Sequence, residues 1–253
     1  MTGCLRVVGI GPGPAAQITP EVRDALAAAS DIVGYHSYIA RVTVAPDQTV
    51  HGSDNGDELA RARGALELAA GGARVALVSG GDPGVFAMAS ATFEAIEKGP
   101  PSWRKLDVTV LPGVTAMLAA AARLGAPLGS DFCAINLSDN LKPWSLIEKR
   151  LRLAAEADFV IALYNPASKA RPRQIHDAFA LLRAHKSPQT LVAFAAAIGR
   201  PDERVVLGEL GTADPNLADM RTLVVIGSSS LRCIDRGDGR HFLYAPRRWV
   251  EPA

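Results

Sequence analysis

Residues 77–90 read LVSGGDPGVFAMAS: a short apolar run, a cluster of small and turn-forming residues, then the first residues of a helix-like pattern. A strand that ends in such a loop and leads into a helix is the repeating unit of an open α/β sheet, and ligands of such sheets bind at the carboxyl ends of the strands. Gly80 and Gly81 let a ligand approach the backbone, and Pro83 fixes the turn after Asp82. The Asp82 carboxylate is able to accept hydrogen bonds from a ribose hydroxyl or an ammonium group. It also suits a structural task, capping the helix that follows, and the motif taken alone favours the cap.

Outward from that loop, apolar runs alternate with helical patterns. Strands over 5–10, 31–35, 74–78 and 107–111 alternate with helices over 20–29, 57–70, 85–97 and 114–123. Thr19 as a cap with Pro20 in the first turn supports the first helix start, because proline there sacrifices no helical hydrogen bond. The alternation is βαβ-like and predicts a parallel-rich sheet. Beyond it the texture changes: strands over 132–137, 159–163, 191–196, 204–207, 223–226 and 241–244 are joined by only two helical patterns, 145–155 and 172–184, which predicts a mixed sheet. The fold class is therefore α/β, with an N-terminal α/β domain over 1–125 and a C-terminal α/β domain over 126–253. The Gly- and Pro-bearing segment 125–129 supplies the boundary, and the ligand cleft is expected between the halves.

Composition narrows the function classes. The 253 residues are 48% hydrophobic and 21% charged, ordinary for a folded soluble chain and unlike a disordered one. A formal net charge of +1 provides no long-range field for nucleic acid or an anionic membrane, so neither is an expected partner. Cys4, Cys133 and Cys233 are widely spaced and odd in number, which suggests neither a disulfide framework nor a zinc site and fits a reducing cytoplasm. The N-terminal MTGCLRVVGIGPG lacks a basic leader with a long apolar segment, and no later run reaches the roughly 20 apolar residues that span a bilayer. Export and membrane insertion are both disfavoured.

The stretch VVGIGPGPA, residues 7–15, invites comparison with the dinucleotide fingerprint Gly-x-Gly-x-x-Gly. The chemistry does not match, because Pro14 takes the third glycine position and neither Pro12 nor Pro14 has an N–H to offer a pyrophosphate. The loop is either a tight turn closing the strand or a second ligand-facing loop that meets 79–84. There is no phosphate-binding Gly-Lys-Ser/Thr loop, no Gly-x-Ser-x-Gly elbow, no His-Glu-x-x-His and no acidic calcium loop. His36, His51, His176, His185 and His241 are scattered, so no metal site is assigned.

Taken in order, VVGIGPG, DIVGYHSYI, LVSGGDPGVFAMA, LPGVTAMLAAAARLGAPL, FCAINLSDNLKPW, ADFVIALYNPASKARP and LVVIGSSS resemble the tetrapyrrole methyltransferases over nearly the whole chain. The Gly-x-Gly-Pro-Gly and Gly-Asp-Pro loops are general to that superfamily. FCAINLSDNLKPW and ALYNPASKARP resemble its branch that methylates carbon 17 of the macrocycle in cobalamin biosynthesis. The resemblance implies a two-domain α/β homodimer that binds S-adenosylmethionine in the cleft between its halves. It carries the cofactor contacts to Pro12, to Gly80, Gly81, Asp82 and Val85, to Thr115 and Ala116, and to Asn165 and Gly199.

What the resemblance further implies is methylation of precorrin-3B at carbon 17 with ring contraction to precorrin-4, with the same reaction on the cobalt-loaded factor of the anaerobic route, or methylation of another tetrapyrrole, as alternatives. The sulfonium is already an activated donor, so no protein nucleophile is required, and orientation alone supplies up to about 7–11 kcal/mol in the best intramolecular cases. Contraction needs proton transfer, for which Tyr35, His36 and Asp139 are candidates, although the general preferences of Asp favour a turn or cap ahead of Pro143 for Asp139. No catalytic residue is singled out. An anionic tetrapyrrole needs cations, and Lys142, Lys169, Arg171 and Arg173 sit beside the branch-specific segments, as carboxylate clamps or as ordinary solvated surface.

Overall fold

In the first strand and the residue that follows it, Leu5 and Val7 join one buried cluster while Val8 and Ile10 join another, so both faces of the strand are covered. A strand buried on both sides belongs in the interior of a parallel sheet with helices above and below. The computed structural model, which describes residues 3–54 and 56–248, shows this arrangement. The chain divides into two compact units at Ala116/Met117, whereas the expected division at 125/126 falls inside a short strand.

The first unit is a five-stranded sheet of β1 (Cys4–Gly9), β2 (Asp31–Tyr35), β3 (Thr49–Ser53), β4 (Arg74–Ser79) and β5 (Asp107–Leu111) in the order β3-β2-β4-β1-β5. Every pairing is parallel, with Gly9 opposite Ser79 and Val8 opposite Leu111. Its helices are α1 (Pro20–Ala28), α2 (His36–Ile39), α3 (Glu58–Ala70) and α4 (Met88–Lys98). Helices α1 and α2 cover one face through Val22, Leu26 and Ile39, and α3 and α4 cover the other through Ala62, Leu66, Met88 and Ala95. Thr19 caps α1 as expected, its Oγ1 accepting from Val22 N at 3.3 Å.

All but the first residue of helix α5 (Ala116–Leu124) belongs to the second unit, followed by β6 (Gly125–Ala126), β7 (Phe132–Asn136), α6 (Trp144–Glu156), β8 (Val160–Tyr164) and α7 (Gln174–His185). Then come β9 (Leu191–Ala196), β10 (Arg204–Glu209), β11 (Thr222–Ile226), β12 (Arg232–Asp235) and β13 (His241–Tyr244). The larger sheet has the order β10-β9-β11-β8-β7 and is mixed, parallel between β7 and β8 and antiparallel elsewhere. Its core holds Ile147 and Leu151 of α6, and Phe179 of α7 stacked on Phe194 at 5.9 Å between centroids. A separate three-stranded sheet pairs β12 with β13 and β13 with β6.

Two sequence expectations need correction. Helix α4 begins at Met88 rather than at residue 85, because Phe86 takes a left-handed φ of 54° and Ala87 is extended, neither of which continues a helix. Strands β3, β6 and β12 were not foreseen; β12 is exposed along its whole length and β3 nearly so, and neither has the apolar alternation that marks a half-buried strand.

Candidate active site

Three loops leave the carboxyl ends of adjacent parallel strands β4, β1 and β5, and their backbones touch. Gly11 N donates to Gly81 O and Gly81 N to Gly11 O, both at 3.1 Å, so the loops after β1 and β4 form a two-residue antiparallel bridge. Both glycines have positive φ, 69° and 64°, a conformation that costs an L-residue with a side chain. The third loop packs against them so closely that a Cβ on Gly113 would lie 2.3 Å from Gly81 O and 2.6 Å from Gly9 O.

Asp82 ties these loops together. Its Oδ1 accepts from Gly84 N at 2.8 Å and its Oδ2 from Gly113 N at 3.0 Å. It is therefore no helix cap: α4 starts after Ala87, which makes no side-chain cap bond. A carboxylate offers about four acceptor positions, so two backbone donors leave capacity for a ligand. Gly81 faces Thr115 and Ala116, with a would-be Cβ 3.8 Å from Thr115 Cα and 3.9 Å from Ala116 N, so the space there is what a side chain would fill. Thr115 is buried, and Val85 N donates to Asp82 O at 3.2 Å. Gly80, Gly81, Asp82, Val85, Thr115 and Ala116 are thus brought together, and Pro12 follows directly on Gly11 of the bridge.

Two residues of this region were not singled out from sequence. Arg41 Nη2 donates to Gly11 O at 2.8 Å and to Gly13 O at 3.0 Å, holding the glycine–proline loop by its carbonyls. Tyr38 covers Gly80, whose Cβ would stand 2.7 Å from Tyr38 Cζ, and meets Tyr35 edge-on at 5.3 Å. Tyr35 is half-buried; His36 is exposed and opens α2, its ring against Gly52 of β3. Both lie at the carboxyl end of β2.

In the second unit, parallel β7 and β8 place the two branch-specific segments side by side, Asn136 opposite Tyr164. Asn136 Oδ1 accepts from Ser138 N at 2.9 Å and from Asn165 Nδ2 at 3.1 Å, and Asn165 sits at a φ of 50°. Tyr164 presents its hydroxyl to Met117 N at 3.0 Å. Asp139 is not a cap for α6, whose N-cap is Pro143 without a side-chain bond; its Oδ2 accepts from Gln174 Nε2 at 3.0 Å. Lys169 and Arg173 are exposed, while Lys142 and Arg171 are half-buried. Burial, then the neighbouring Arg150, pulls the Lys142 ammonium below the usual lysine range.

Gly199 follows β9, which runs in the same direction as β8 because both are antiparallel to β11. Its φ is 77°, and its N–H donates to Glu203 Oε2 at 2.6 Å. It therefore shares the carboxyl edge of that sheet with Asn165.

A cavity of about 740 Å³ lies elsewhere in the first unit, along α3 and β3, lined by His51, Ser53, Ala60, Arg61, Gly64 and Leu68 among others, and by none of the expected site residues. Among the described residues no cluster of His, Cys, Asp and Glu is suited to a metal, and no helix is long and apolar enough to cross a membrane.

Comparison with known proteins matches this architecture. A precorrin-3B C(17)-methyltransferase from Sinorhizobium sp is 58% identical over 247 residues, 98% of this chain and 97% of that protein. A probable cobalt-factor III C(17)-methyltransferase from Salmonella typhimurium is 45% identical, covering 89% of this chain and 93% of that one. The crystal structure of the methyltransferase CobJ superimposes with a TM-score of 0.92 at 51% identity, over 96% of this chain and all of that chain. Residues 5–214, most of both units, match the family described as Tetrapyrrole (Corrin/Porphyrin) Methylases, and the chain belongs to that family.

Proposed function

We propose that this chain is an S-adenosylmethionine-dependent C-methyltransferase that methylates precorrin-3B at carbon 17, with ring contraction to precorrin-4, in cobalamin biosynthesis. The observation that carries the reading is the 58% identity to a precorrin-3B C(17)-methyltransferase along essentially the whole of both chains. The lower 45% identity to a cobalt-factor III enzyme favours the metal-free substrate. The resemblance noted above further supports a homodimer, which sedimentation of the purified protein tests, and the free cysteines Cys4, Cys133 and Cys233 fit a reducing cytoplasm.

S-adenosylmethionine, when bound, supplies a methyl group on a sulfonium, a donor that needs no activation by the protein. The residues present fit such a group. Gly81 leaves bare backbone beside Thr115 and Ala116, where an added Cβ would already be in van der Waals contact, and the Asp82 carboxylate retains acceptor positions for hydroxyl or ammonium hydrogens. Pro12, Gly80 and Val85 belong to two of the same three loops and are assigned to the same ligand, and Asn165 and Gly199 are the contacts assigned to the second unit. The work of these residues is orientation: their backbone and side chains hold ligands in fixed loops, and fixed geometry lowers a two-reactant barrier. Lys142, Lys169, Arg171 and Arg173 are assigned to the acid groups of the macrocycle, and Tyr35, His36 and Asp139 to proton transfer during contraction.

The test is incubation of purified protein with S-adenosylmethionine and precorrin-3B, with mass spectrometry for the added methyl and NMR of labelled product for its position. A methyl on carbon 17 of a contracted ring is the expected result. Methylation of the cobalt-loaded factor alone would replace this substrate with that one, and a methyl on any other carbon would refute the assignment.

A further inference from the structure

In the segment that runs from β8 into α7, two buried side-chain atoms have no hydrogen-bond partner among the described residues: Arg171 Nη1 and Gln174 Oε1. Buried polar atoms are nearly always paired, and a guanidinium nitrogen buried without an acceptor has lost its own hydration with nothing in return, even though the Arg171 side chain as a whole is only half-buried. The backbone of Arg171 is not the reason, because it is well fixed: Arg171 N donates to Ser168 O at 3.0 Å and Ser168 N to Arg171 O at 3.1 Å. No ion pair of the described residues involves the Arg171 guanidinium, although Arg123, Arg152 and Arg221 in the same unit all have carboxylates. The loop is braced while the head group is left unmatched.

Gln174 shows the same pattern at its other pole. Its Nε2 donates to Asp139 Oδ2, and since a carboxylate only accepts, the amide orientation follows and the carbonyl oxygen is the orphan. One unmatched donor and one unmatched acceptor therefore lie within four residues of each other in sequence. The adjoining loop after β7 adds the half-buried Lys142, whose ammonium is also desolvated. Arg171 Nη1 calls for an anion, and Gln174 Oε1 for a hydrogen-bond donor.

Resting on the tetrapyrrole reading above, we propose that Arg171 and Gln174 anchor the macrocycle, Arg171 through one ionised acid side chain and Gln174 through a ring N–H or hydroxyl of the same ligand. Gln174 is absent from the residues that sequence alone brought forward, and it sets Asp139 at the same time.

The experiment titrates the holo-length protein with uroporphyrin, a water-soluble polycarboxylate porphyrin, followed by fluorescence, with melting temperature and S-adenosylhomocysteine affinity measured in parallel. Arg171→Met should weaken porphyrin binding roughly 10- to 100-fold, the value of a lost charge-assisted hydrogen bond. Arg171→Lys should fall between Arg171→Met and the wild type, and Gln174→Met should lose roughly fivefold. Arg171→Met should melt no lower than wild type, because it deletes an unmatched buried atom, and should bind S-adenosylhomocysteine unchanged. Wild-type porphyrin affinity in Arg171→Met overturns the anchor while leaving the tetrapyrrole reading standing. A melting temperature several degrees lower with unchanged binding makes Arg171 a structural residue and also overturns it. No porphyrin binding by the wild type overturns the anchor, while the tetrapyrrole reading stands or falls on methylation of precorrin-3B.

Discussion

Gly81→Ala separates what the three-loop junction does for folding from what it does for ligand binding. The added Cβ would meet nothing closer than Thr115 Cα at 3.8 Å and Ala116 N at 3.9 Å, ordinary van der Waals distances, so no protein atom has to move. The folding cost is then the backbone alone: at a φ of 64° an L-residue pays about 1–2 kcal/mol relative to glycine. For a chain of this size that lowers the melting temperature by roughly 2–8 °C. The methyl group, however, occupies the space assigned to the cofactor, and overfilling a packed site costs about 1–3 kcal/mol, or roughly 5- to 150-fold in affinity. Calorimetric titration with S-adenosylhomocysteine alongside differential scanning fluorimetry reads both quantities on one preparation. An unchanged affinity with the expected drop in melting temperature would show that the cofactor does not lie over Gly81 and would refute the placement.

Other substitutions probe the same framework. Gly113→Ala sets a Cβ against two backbone oxygens at 2.3 and 2.6 Å, which cannot rotate away; urea unfolding should show a loss of about 3 kcal/mol or more, well beyond that of Gly81→Ala. Asn165→Ala combines a left-handed φ of 50° with loss of the bond to Asn136 and should cost about 2 kcal/mol by the same measurement, with Asn165→Gly milder because glycine accepts that φ freely. Asp158 pairs with Lys186, whose side chain is only 3% exposed, and also accepts from Ser229; Asp158→Ala strands a buried ammonium and should lower urea stability by about 3 kcal/mol. Burial pushes the Asp158 carboxyl up, but the donors of Lys186 and Ser229 together outweigh it and hold it below its unfolded value of 3.8. Its contribution is therefore complete above that pH and is lost as pH falls through the lowered folded value, and urea midpoints between pH 5 and about pH 2 should fall less steeply in Asp158→Asn than in wild type.

The parts of the fold that were legible in sequence are those governed by near neighbours. Strands β2 and β5 begin and end where their apolar runs do, and α1 starts at the Thr19–Pro20 cap. Strand β3 reads TVHGS, polar and exposed along an edge, and its pairing with β2 is a property of the sheet rather than of those five residues. The site divides in the same way. Gly80, Gly81 and Asp82 stood out because glycine and proline around an acid mark a special loop, yet the role of Asp82 turns on Gly113, 31 positions away. Arg41 reaches back 30 positions to Gly11 and is, in sequence, one arginine among many. Gln174 carries no local signal at all, since its meaning lies in an unsatisfied carbonyl oxygen and a bond to Asp139 across 35 positions.

The guanidinium of Arg41 beneath the glycine–proline loop bears on how a ligand arrives. A mobile loop has to be ordered on binding, at about 1–2 kcal/mol for each residue frozen. Here the Gly11 and Gly13 carbonyls are already gripped by Arg41, and the Gly11–Gly81 bridge closes the other side, so that cost was met when the protein folded. Association at this junction should accordingly have the calorimetric signature of a rigid receptor: a heat-capacity change accounted for by the surface of the ligand and its contacts, with no excess from coupled folding of the loop. Cutting Arg41 back to alanine would return that ordering cost to the binding step, and the loop would then behave as a segment that folds around its ligand.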